Sequence, residues 1–289
     1  YASNRLELGM PLVNAIGSNL NNLINNVPEA YRKDAAALPV ATDFNLIGET
    51  VNIPGTEKKA QVGNLPWICH NLWLQYRFSM DESILRNTIF PTLRRAINFY
   101  LPFLKEDKQG KLHLQRTFSP EYGIAEDCNY DIALLRWGCN TLLETTKILS
   151  INDELIPRWK QVIEKLTDYP QDANGMMIGK DVPFSRSHRH YSHLLMFYPL
   201  YLLNAEQNGS KELMEKSVEH WHSLPGNILG YTYTGASSLY AAFGEGDKAL
   251  EKLNGLFART LRPNTMKWKA VRLLRHRCPA HNAYTICCY

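Results

Sequence analysis

A glutamate in a short proline-containing string is the first residue whose surroundings suggest chemistry. Glu121 lies in RTFSPEYG, residues 116–123, directly after a Ser-Pro pair and before a Tyr-Gly pair. Proline restricts the backbone here, so the carboxyl group could be held in one position among aromatic neighbours. A carboxyl group held in this way can serve as a general acid. A solvated loop carboxylate is the alternative interpretation, and the residues alone leave it open.

A cluster of basic side chains is the second candidate. The string SRSHRHYSHL, residues 185–194, holds two arginines and three histidines: Arg186, Arg189, His188, His190 and His193. Histidines two and three residues apart, without a clear aspartate or cysteine partner, do not follow a known zinc pattern, so no metal is predicted. Arginine and histidine donors instead suit the hydroxyl groups of a sugar or a carboxylate. A polar loop that contains one or two buried histidines is the alternative.

Two strings with helical spacing carry the remaining candidates. In NYDIALLRWG, residues 129–138, Asp131 is predicted to cap the start of a helix, and Arg136 could support a nearby carboxylate. In LPWICHNLWLQYRFSMD, residues 65–81, the aromatic stripe is typical of a core, and Trp67 at the helix start is best placed to face a cleft. The sequence contains no phosphate-binding glycine loop, nucleophile elbow or dinucleotide fingerprint, so no cofactor is predicted.

The elements that position these residues are predicted to be helices. Apolar residues recur every three or four positions along most of the chain, and period-two alternation is scarce. Helices are predicted over residues 1–12, 12–27, 66–78, 84–90, 91–104, 131–149, 155–166, 193–203, 213–221, 236–243 and 247–257. Paired helices of unequal length fit an all-α toroid. Three long loops, 31–65, 107–130 and 167–192, are expected to build the functional face.

Composition excludes several protein classes. With 45% hydrophobic and 21% charged residues, the 289-residue chain can bury a core and does not resemble a disordered protein. No run approaches 18 apolar residues, so no membrane-spanning helix is predicted. The net charge of +4 depends on five basic residues in 267–289; without them, 27 of the 32 basic residues remain against 28 acidic ones. The rest of the chain therefore gives no reason to expect nucleic-acid binding.

The cysteines separate the same terminal segment from the rest of the chain. Three of them match no zinc motif and are predicted to be buried thiols: Cys69, Cys128 and Cys139. The other three lie in the basic segment: Cys278, Cys287 and Cys288. Residues 1–266 are therefore predicted to form a helical domain, and residues 267–289 an anomalous tail.

Six strings of this sequence, taken together and in this order, resemble those of one known family. They are PWICHNLWLQYRFSMD, FPTLRRAINFYLPFL, SPEYG, NYDIALLRWG, SHRHYSHLLMFYPL and PNTM. Over about residues 1–266 the chain is similar to the catalytic domain of glycoside hydrolase family 95, the inverting α-L-fucosidases and α-L-galactosidases. The resemblance implies an all-α (α/α)6 barrel, and a β-rich N-terminal partner domain that is missing from this chain.

The resemblance also implies roles for individual residues. Glu121 matches the family's general acid, Arg189 and His190 match a pair that contacts the substrate, and Trp67 matches an aromatic residue that lines the sugar site. Three further residues are candidates for supporting positions: Asp131, Arg136 and His193. The implied partner is an oligosaccharide or polysaccharide, with no cofactor and no metal in the mechanism. A periplasmic or secreted location is suggested.

Two parts of the family's machinery are expected to be absent or altered. The family's paired asparagines, which hold the attacking water, would precede residue 1. After PNTM the family has a segment that carries the base. Residues 267–289 can be interpreted as that segment translated in another frame, with Leu274 and Arg275 where the base would be. The chain is therefore expected to be a fragment, incomplete at both ends, without hydrolytic activity.

Two other interpretations remain open. A non-catalytic carbohydrate-binding protein or pseudoenzyme on a helical toroid would keep the aromatic residues and the Arg-His cluster and would need no acid–base pair. A polysaccharide lyase would need a base and a group that neutralises a uronic acid, and His190 and Arg189 could fill these roles. Turnover distinguishes a hydrolase or a lyase from a carbohydrate-binding protein. An unsaturated product that absorbs in the ultraviolet distinguishes a lyase from a hydrolase.

Overall fold

Two units make up the part of the chain that the structure describes. The computed structural model describes residues 5–260, which divide into residues 5–168 and residues 169–260. Predictions for the tail 267–289, including its three cysteines, lie outside the described residues. Within residues 5–260, no helix is both long and apolar enough to cross a membrane.

The first unit is mostly helical and carries two short β-hairpins. Its helices are α1 Met10–Ser18, α2 Leu20–Asn25, α3 Asn64–Ser79, α4 Glu82–Ile84, α5 Phe90–Asn98, α6 Asn129–Ile148 and α7 Ile156–Lys165. A π-helical segment, Leu85–Ile89, joins α4 to α5, and 3₁₀ turns cover Leu6–Gly9, Glu29–Tyr31 and Leu101–Phe103. Its strands are β1 Leu104–Glu106, β2 Leu112–Leu114, β3 Thr117–Ser119 and β4 Gly123–Ala125. The antiparallel pairs are β1–β2 and β3–β4.

Helix α3 supplies much of the first unit's core. Pro66 lies in its first turn, where the missing N–H removes no helical hydrogen bond. Ten of its sixteen residues are buried. Met80 follows the last residue with a left-handed φ of 56°, a conformation that commonly closes a helix.

The two helices predicted over 84–90 and 91–104 are one continuous helical run that ends earlier. Asp81 caps it as expected, because its carboxylate accepts a hydrogen bond from Ser83 N at 2.9 Å. Pro91 lies in the first turn of α5 and does not break the run. The run ends at Asn98, and Pro102 lies in the 3₁₀ turn that leads to β1.

Helix α6 begins two residues before its predicted start, so the prediction that Asp131 caps it is wrong. The capping position belongs to Cys128, whose φ of −60° and ψ of 120° are extended. Asp127 precedes it and exchanges two hydrogen bonds with Leu114: its N–H donates to the Leu114 carbonyl, and its carboxylate accepts from Leu114 N. These bonds set where the chain turns into the helix and leave Asp131 inside the first turn.

The second unit has three helices and one short hairpin among residues 169–260. Its elements are β5 Gln171–Asp172, β6 Gly175–Met176, α8 Ser210–Ser223, α9 Gly230–Ala242 and α10 Gly246–Thr260. The helix predicted over 193–203 is wrong, because only the 3₁₀ turn Ser192–Leu194 forms there and irregular turns follow. The residue before Pro199 is disfavoured in a helix.

The predictions of an all-α fold class and of three buried thiols are confirmed. The described residues are mainly α-helical, and their strands are two or three residues long. Cys69, Cys128 and Cys139 are free and 0% exposed. Burial raises the pKa of each thiol well above its ordinary value, so these cysteines are unreactive core residues.

Candidate active site

The β3–β4 hairpin presents Glu121 at its tip. Tyr122 N donates to the Ser119 carbonyl at 3.0 Å, which closes a four-residue turn with Pro120 and Glu121 in the middle. Glu121 has a φ of 55°, in the left-handed region, and its side chain is exposed. A non-glycine residue in this region costs roughly 1–2 kcal/mol, and such strain is concentrated at functional sites. The hairpin therefore holds this carboxyl group in a specific, costly position facing solvent.

A buried carboxyl group ties the base of this hairpin to α6. Asp131 is 0% exposed, and each of its oxygens accepts one hydroxyl hydrogen bond. Thr117, the first residue of β3, donates to Oδ2 at 2.6 Å, and Tyr100 donates to Oδ1 at 2.7 Å. Thr117 and Tyr100 are themselves 0% exposed. Asp131 thus links β3 and α6 to the turn that follows α5.

Burial dominates the electrostatics of Asp131. It raises the pKa of Asp131 to about 7, although hydrogen bonds from Thr117, Tyr100 and the Cys128 side chain oppose the shift. The same burial, together with the charge of Asp131, raises the pKa of Tyr100 well above its ordinary value, so Tyr100 remains a donor. Asp131 is therefore a proton-holding group at acidic pH and a buried anion at alkaline pH.

Trp67, at the start of α3, packs against Tyr130 on α6. It is half-buried, and its ring centroid lies 5.7 Å from that of Tyr130, the residue before Asp131. Tyr130 also fills the space beside Gly63, where an added Cβ would lie 2.2 Å from the tyrosine ring. The glycine therefore permits the close approach of the backbone before α3 to α6. The structure therefore places Trp67 against the residue that precedes Asp131 on α6.

Arg136, on α6, contacts the end of α7. Its guanidinium group donates to the carbonyl oxygens of Ile163, Leu166 and Thr167, at 3.5, 3.3 and 2.9 Å. These acceptors lie at the carboxyl end of α7, where helical carbonyls lack partners within the helix. Arg136 therefore closes α7 against α6, and its support of a carboxylate stays a prediction.

Neighbouring helices hold the Arg-His segment of the second unit through its main chain. Trp221 Nε1, on α8, donates to the His188 carbonyl at 2.7 Å, and Thr232 Oγ1, on α9, donates to the Arg189 carbonyl at 2.8 Å. Arg189 is half-buried, and His190 is 3% exposed. Both side chains are therefore presented from a backbone that is restrained on two sides.

Two histidines of this segment are neutral. Burial, assisted by the neighbouring positive groups, lowers the pKa of His190 to about 2. His193 is 1% exposed and stacks on Phe184 at a centroid distance of 4.3 Å, and burial lowers its pKa to about 3. His190 therefore offers uncharged hydrogen-bonding nitrogens, whereas His193 packs as a core residue.

An imidazole clamp, which the sequence did not indicate, supports the hairpins. His113 on β2 contacts Asp127 Oδ2 through Nδ1 at 2.6 Å and Asp107 Oδ2 through Nε2 at 3.1 Å. Burial alone would lower the pKa of His113, but the two aspartates outweigh it and raise the pKa. His113, Glu126 and Asp127 place three metal-ligand atoms within 4.8 Å of one another. A metal ion would have to break a carboxylate bond of His113, so the geometry fits an imidazolium better.

The two carboxylate contacts of His113 lead us to expect that His113→Gln lowers stability in a pH-dependent way. A raised folded-state pKa stabilises the fold below the ordinary histidine pKa, and this contribution disappears as pH rises through the folded-state value. We expect the substitution to lower the free energy of unfolding by about 1–2 kcal/mol at pH 6 and by less at pH 9. Urea unfolding at both pH values measures this. An equal loss at pH 6 and pH 9 would show that His113 acts by packing alone.

Two curated proteins are similar to this chain in sequence. The chain is similar to "Alpha-L-fucosidase 2" of Arabidopsis thaliana, with 26% identity, covering 66% of this chain and 24% of that protein. It is also similar to "Probable alpha-fucosidase A" of Aspergillus niger, with 25% identity, covering 53% of this chain and 21% of that protein. The chain thus spans about a quarter of the length of these curated relatives.

The chain also matches a solved structure and a family model. A protein from the human microbiome, assigned as a kojibiose phosphorylase, superposes with a TM-score of 0.56 at 13% identity, covering 82% of this chain and 38% of that chain. That protein and the matched family's domain are (α/α)6 barrels, which confirms the predicted fold class. Residues 2–283 match the glycosyl hydrolase family 95 catalytic domain. The chain therefore belongs to glycosyl hydrolase family 95.

Proposed function

We propose that this chain is the acid-bearing part of an exo-acting glycosidase of the α-L-fucosidase type. The observation that carries the proposal is the strained, exposed position of Glu121 at a hairpin tip whose base is bonded to buried Asp131. The family and the names of the two relatives support a glycoside substrate. The proposed partner is a terminal sugar of an oligosaccharide or polysaccharide.

The proposed reaction proceeds with inversion. Glu121 protonates the glycosidic oxygen as the bond to the anomeric carbon breaks, while a base removes a proton from a water molecule that attacks the opposite face. The two carboxyl groups of such a pair are separated by roughly 6.5–9.5 Å, which leaves room for the water. The leaving saccharide takes the proton of Glu121, and the other product carries the hydroxyl group of the water.

Each remaining candidate has a distinct proposed part. Arg189 and neutral His190 donate hydrogen bonds to sugar hydroxyl groups and orient the ring. Trp67 offers an aromatic face to the apolar face of the sugar. Asp131 is a positioning residue: it does not touch the substrate, and its bond to Thr117 holds the strand that leads to Glu121.

We propose that the 289-residue polypeptide itself does not hydrolyse fucosides. The base and the water-holding asparagines of the family are assigned to no residue that the structure describes. Incubation of the purified chain with a fucosylated oligosaccharide is expected to release negligible fucose. Robust release by the pure chain would overturn this part of the proposal.

The intact gene product provides the complementary test. It is expected to release the sugar with inverted anomeric configuration, which early-time proton NMR records before mutarotation. The retained anomer would exclude the inverting mechanism. Sugar binding without turnover in the intact gene product would favour the non-catalytic carbohydrate-binding alternative.

A further inference from the structure

A cluster of four tyrosines lies beside the Arg-His segment in the second unit. The cluster, here called the tyrosine patch, comprises Tyr191, Tyr198, Tyr201 and Tyr231. Tyr191 stacks on Tyr231 with ring centroids 5.5 Å apart and an interplanar angle of 15°. Tyr198 joins Tyr191 at 6.4 Å and Tyr201 at 5.9 Å. The four rings therefore form one continuous aromatic group.

Burial within the patch is graded from core to surface. Tyr191 is 5% exposed, Tyr198 and Tyr231 are half-buried, and Tyr201 is 55% exposed. Packing explains the inner rings, because Tyr191 also contacts Trp221 on α8. It does not explain why the group extends to a large ring in solvent. An exposed aromatic group of this kind is typical of a binding surface.

The backbone at Tyr201 adds a second, independent observation. Tyr201 has a φ of 50°, a conformation that a bulky side chain adopts at a cost. Met80 and Ser150 also have positive φ, but each directly follows the last turn of a helix, where this conformation closes the helix. Leu46, Asp127 and Asp181 adopt the same conformation in turns. No helix ends directly before Tyr201. Strain of this kind persists where the surrounding structure and function require the side chain's position.

The hydroxyl groups of the patch remain protonated and close to one another. The Tyr191 hydroxyl hydrogen-bonds to that of Tyr231, and burial raises the pKa of Tyr191 well above its ordinary value. Burial and the proximity of Tyr198 raise the pKa of Tyr201 as well. The patch therefore combines apolar ring faces with uncharged hydroxyl groups, and it contributes no charge of its own at neutral pH.

The patch is continuous with the pair proposed to bind the sugar. The His190 ring lies 6.4 Å from the Tyr231 ring, at 73°. The residue after Tyr231, Thr232, donates to the Arg189 carbonyl at 2.8 Å. In the series of ring contacts, Tyr231 therefore adjoins His190, and Tyr201 lies at the opposite end.

We propose that the tyrosine patch binds the saccharide units of the glycan that follow the sugar held by Arg189 and His190. A pyranose ring has an apolar face of C–H groups, which suits an aromatic ring, and an equatorial rim of hydroxyl groups, which suits the tyrosine hydroxyls. The absence of charge in the patch matches a neutral sugar better than a uronic acid. This inference rests on the proposed function, because Arg189 and His190 define its starting point.

The test compares a short and a long ligand on the full 289-residue chain. The dissociation constants of L-fucose and of a fucosylated trisaccharide are measured by ligand-observed NMR. We expect Tyr201→Ala to weaken trisaccharide binding about three- to tenfold and to leave L-fucose binding unchanged. Tyr201→Phe, which keeps the ring, is expected to retain most of the affinity.

Phe44→Ala is the matched control. Phe44 is an aromatic residue of the first unit that is 85% exposed, so the substitution removes an exposed ring without touching the patch. It is expected to leave both affinities unchanged. Unchanged trisaccharide binding in Tyr201→Ala, an equal loss in Phe44→Ala, or no preference of the wild-type chain for the trisaccharide would each overturn the inference. Binding requires no turnover, so this result is independent of whether Glu121 is the acid.

Discussion

Replacement of Glu121 by glutamine in the intact gene product is expected to lower kcat on a fucosylated oligosaccharide by a factor on the order of 10² or more. Glutamine has nearly the same shape and places the same demand on the left-handed backbone at this position, so the hairpin is expected to keep its form. The amide cannot give a proton to the glycosidic oxygen. The rate of fucose release at saturating substrate measures the effect.

A surface glutamate provides the control for that experiment. Glu82 is exposed at the first residue of α4, and Glu82→Gln makes the same change of charge away from the hairpin. It is expected to leave kcat within about a factor of two, since most exposed substitutions have small effects. Unchanged turnover in Glu121→Gln would move the general acid to another residue.

The second large effect is expected at Asp131, and it concerns stability. Asp131→Ala removes the acceptor of two hydroxyl groups that are 0% exposed, those of Thr117 and Tyr100. Each buried donor left without a partner costs about 1–3 kcal/mol, so the free energy of unfolding is expected to fall by about 3 kcal/mol. Urea unfolding of the 289-residue chain measures the loss.

The conservative variant Asp131→Asn separates hydrogen bonding from charge. The amide oxygen can still accept one hydroxyl hydrogen bond, and the loss is expected to be near 1 kcal/mol. A loss below about 0.5 kcal/mol in Asp131→Ala would contradict the buried network, because so small a change is typical of substitutions away from such features.

The pH dependence of Asp131 has a defined sign. Its pKa is about 7 in the folded chain and about 3.9 in an unfolded one, so between these values the folded state holds the extra proton. The contribution of Asp131 to stability therefore falls as pH rises from about 4 to about 7, by up to about 1.4 kcal/mol per pH unit. Asp131→Asn removes this slope, so its cost is expected to shrink between pH 5 and pH 8. A cost that grows over this range would contradict the raised pKa.

Much of the helical scaffold follows from the spacing of apolar residues. Helices α3, α6 and α7 lie within a few residues of their predicted bounds, because buried and less buried positions recur along each of them at intervals of three or four residues. The prediction of a helix over 193–203 was wrong for a physical reason. Leu194, Leu195, Met196 and Phe197 are all 0% exposed, and a fully buried segment has no polar face to reveal its period. The apolar residues of this segment therefore did not reveal its backbone conformation.

The candidate site was less predictable than the scaffold. Glu121 was found through its string and the family resemblance, whereas the hairpin around it was expected to be a loop. Strands of three residues are too short to show period-two alternation. The bond between Asp131 and Tyr100 joins residues 31 positions apart, and no local pattern links them. Thr117 lies within RTFSPEYG, but nothing in that string marked its hydroxyl group as a partner of Asp131.

The role of Glu121 as the proton donor to the leaving group is tested by changing the leaving group. A fucosyl fluoride and a fucosylated oligosaccharide are compared in the intact gene product and in its Glu121→Gln variant. Fluoride departs without protonation, whereas a sugar alkoxide needs it. We expect kcat/KM of the variant to fall by a factor on the order of 10² or more for the oligosaccharide and by far less for the fluoride. Equal losses on both substrates would contradict it.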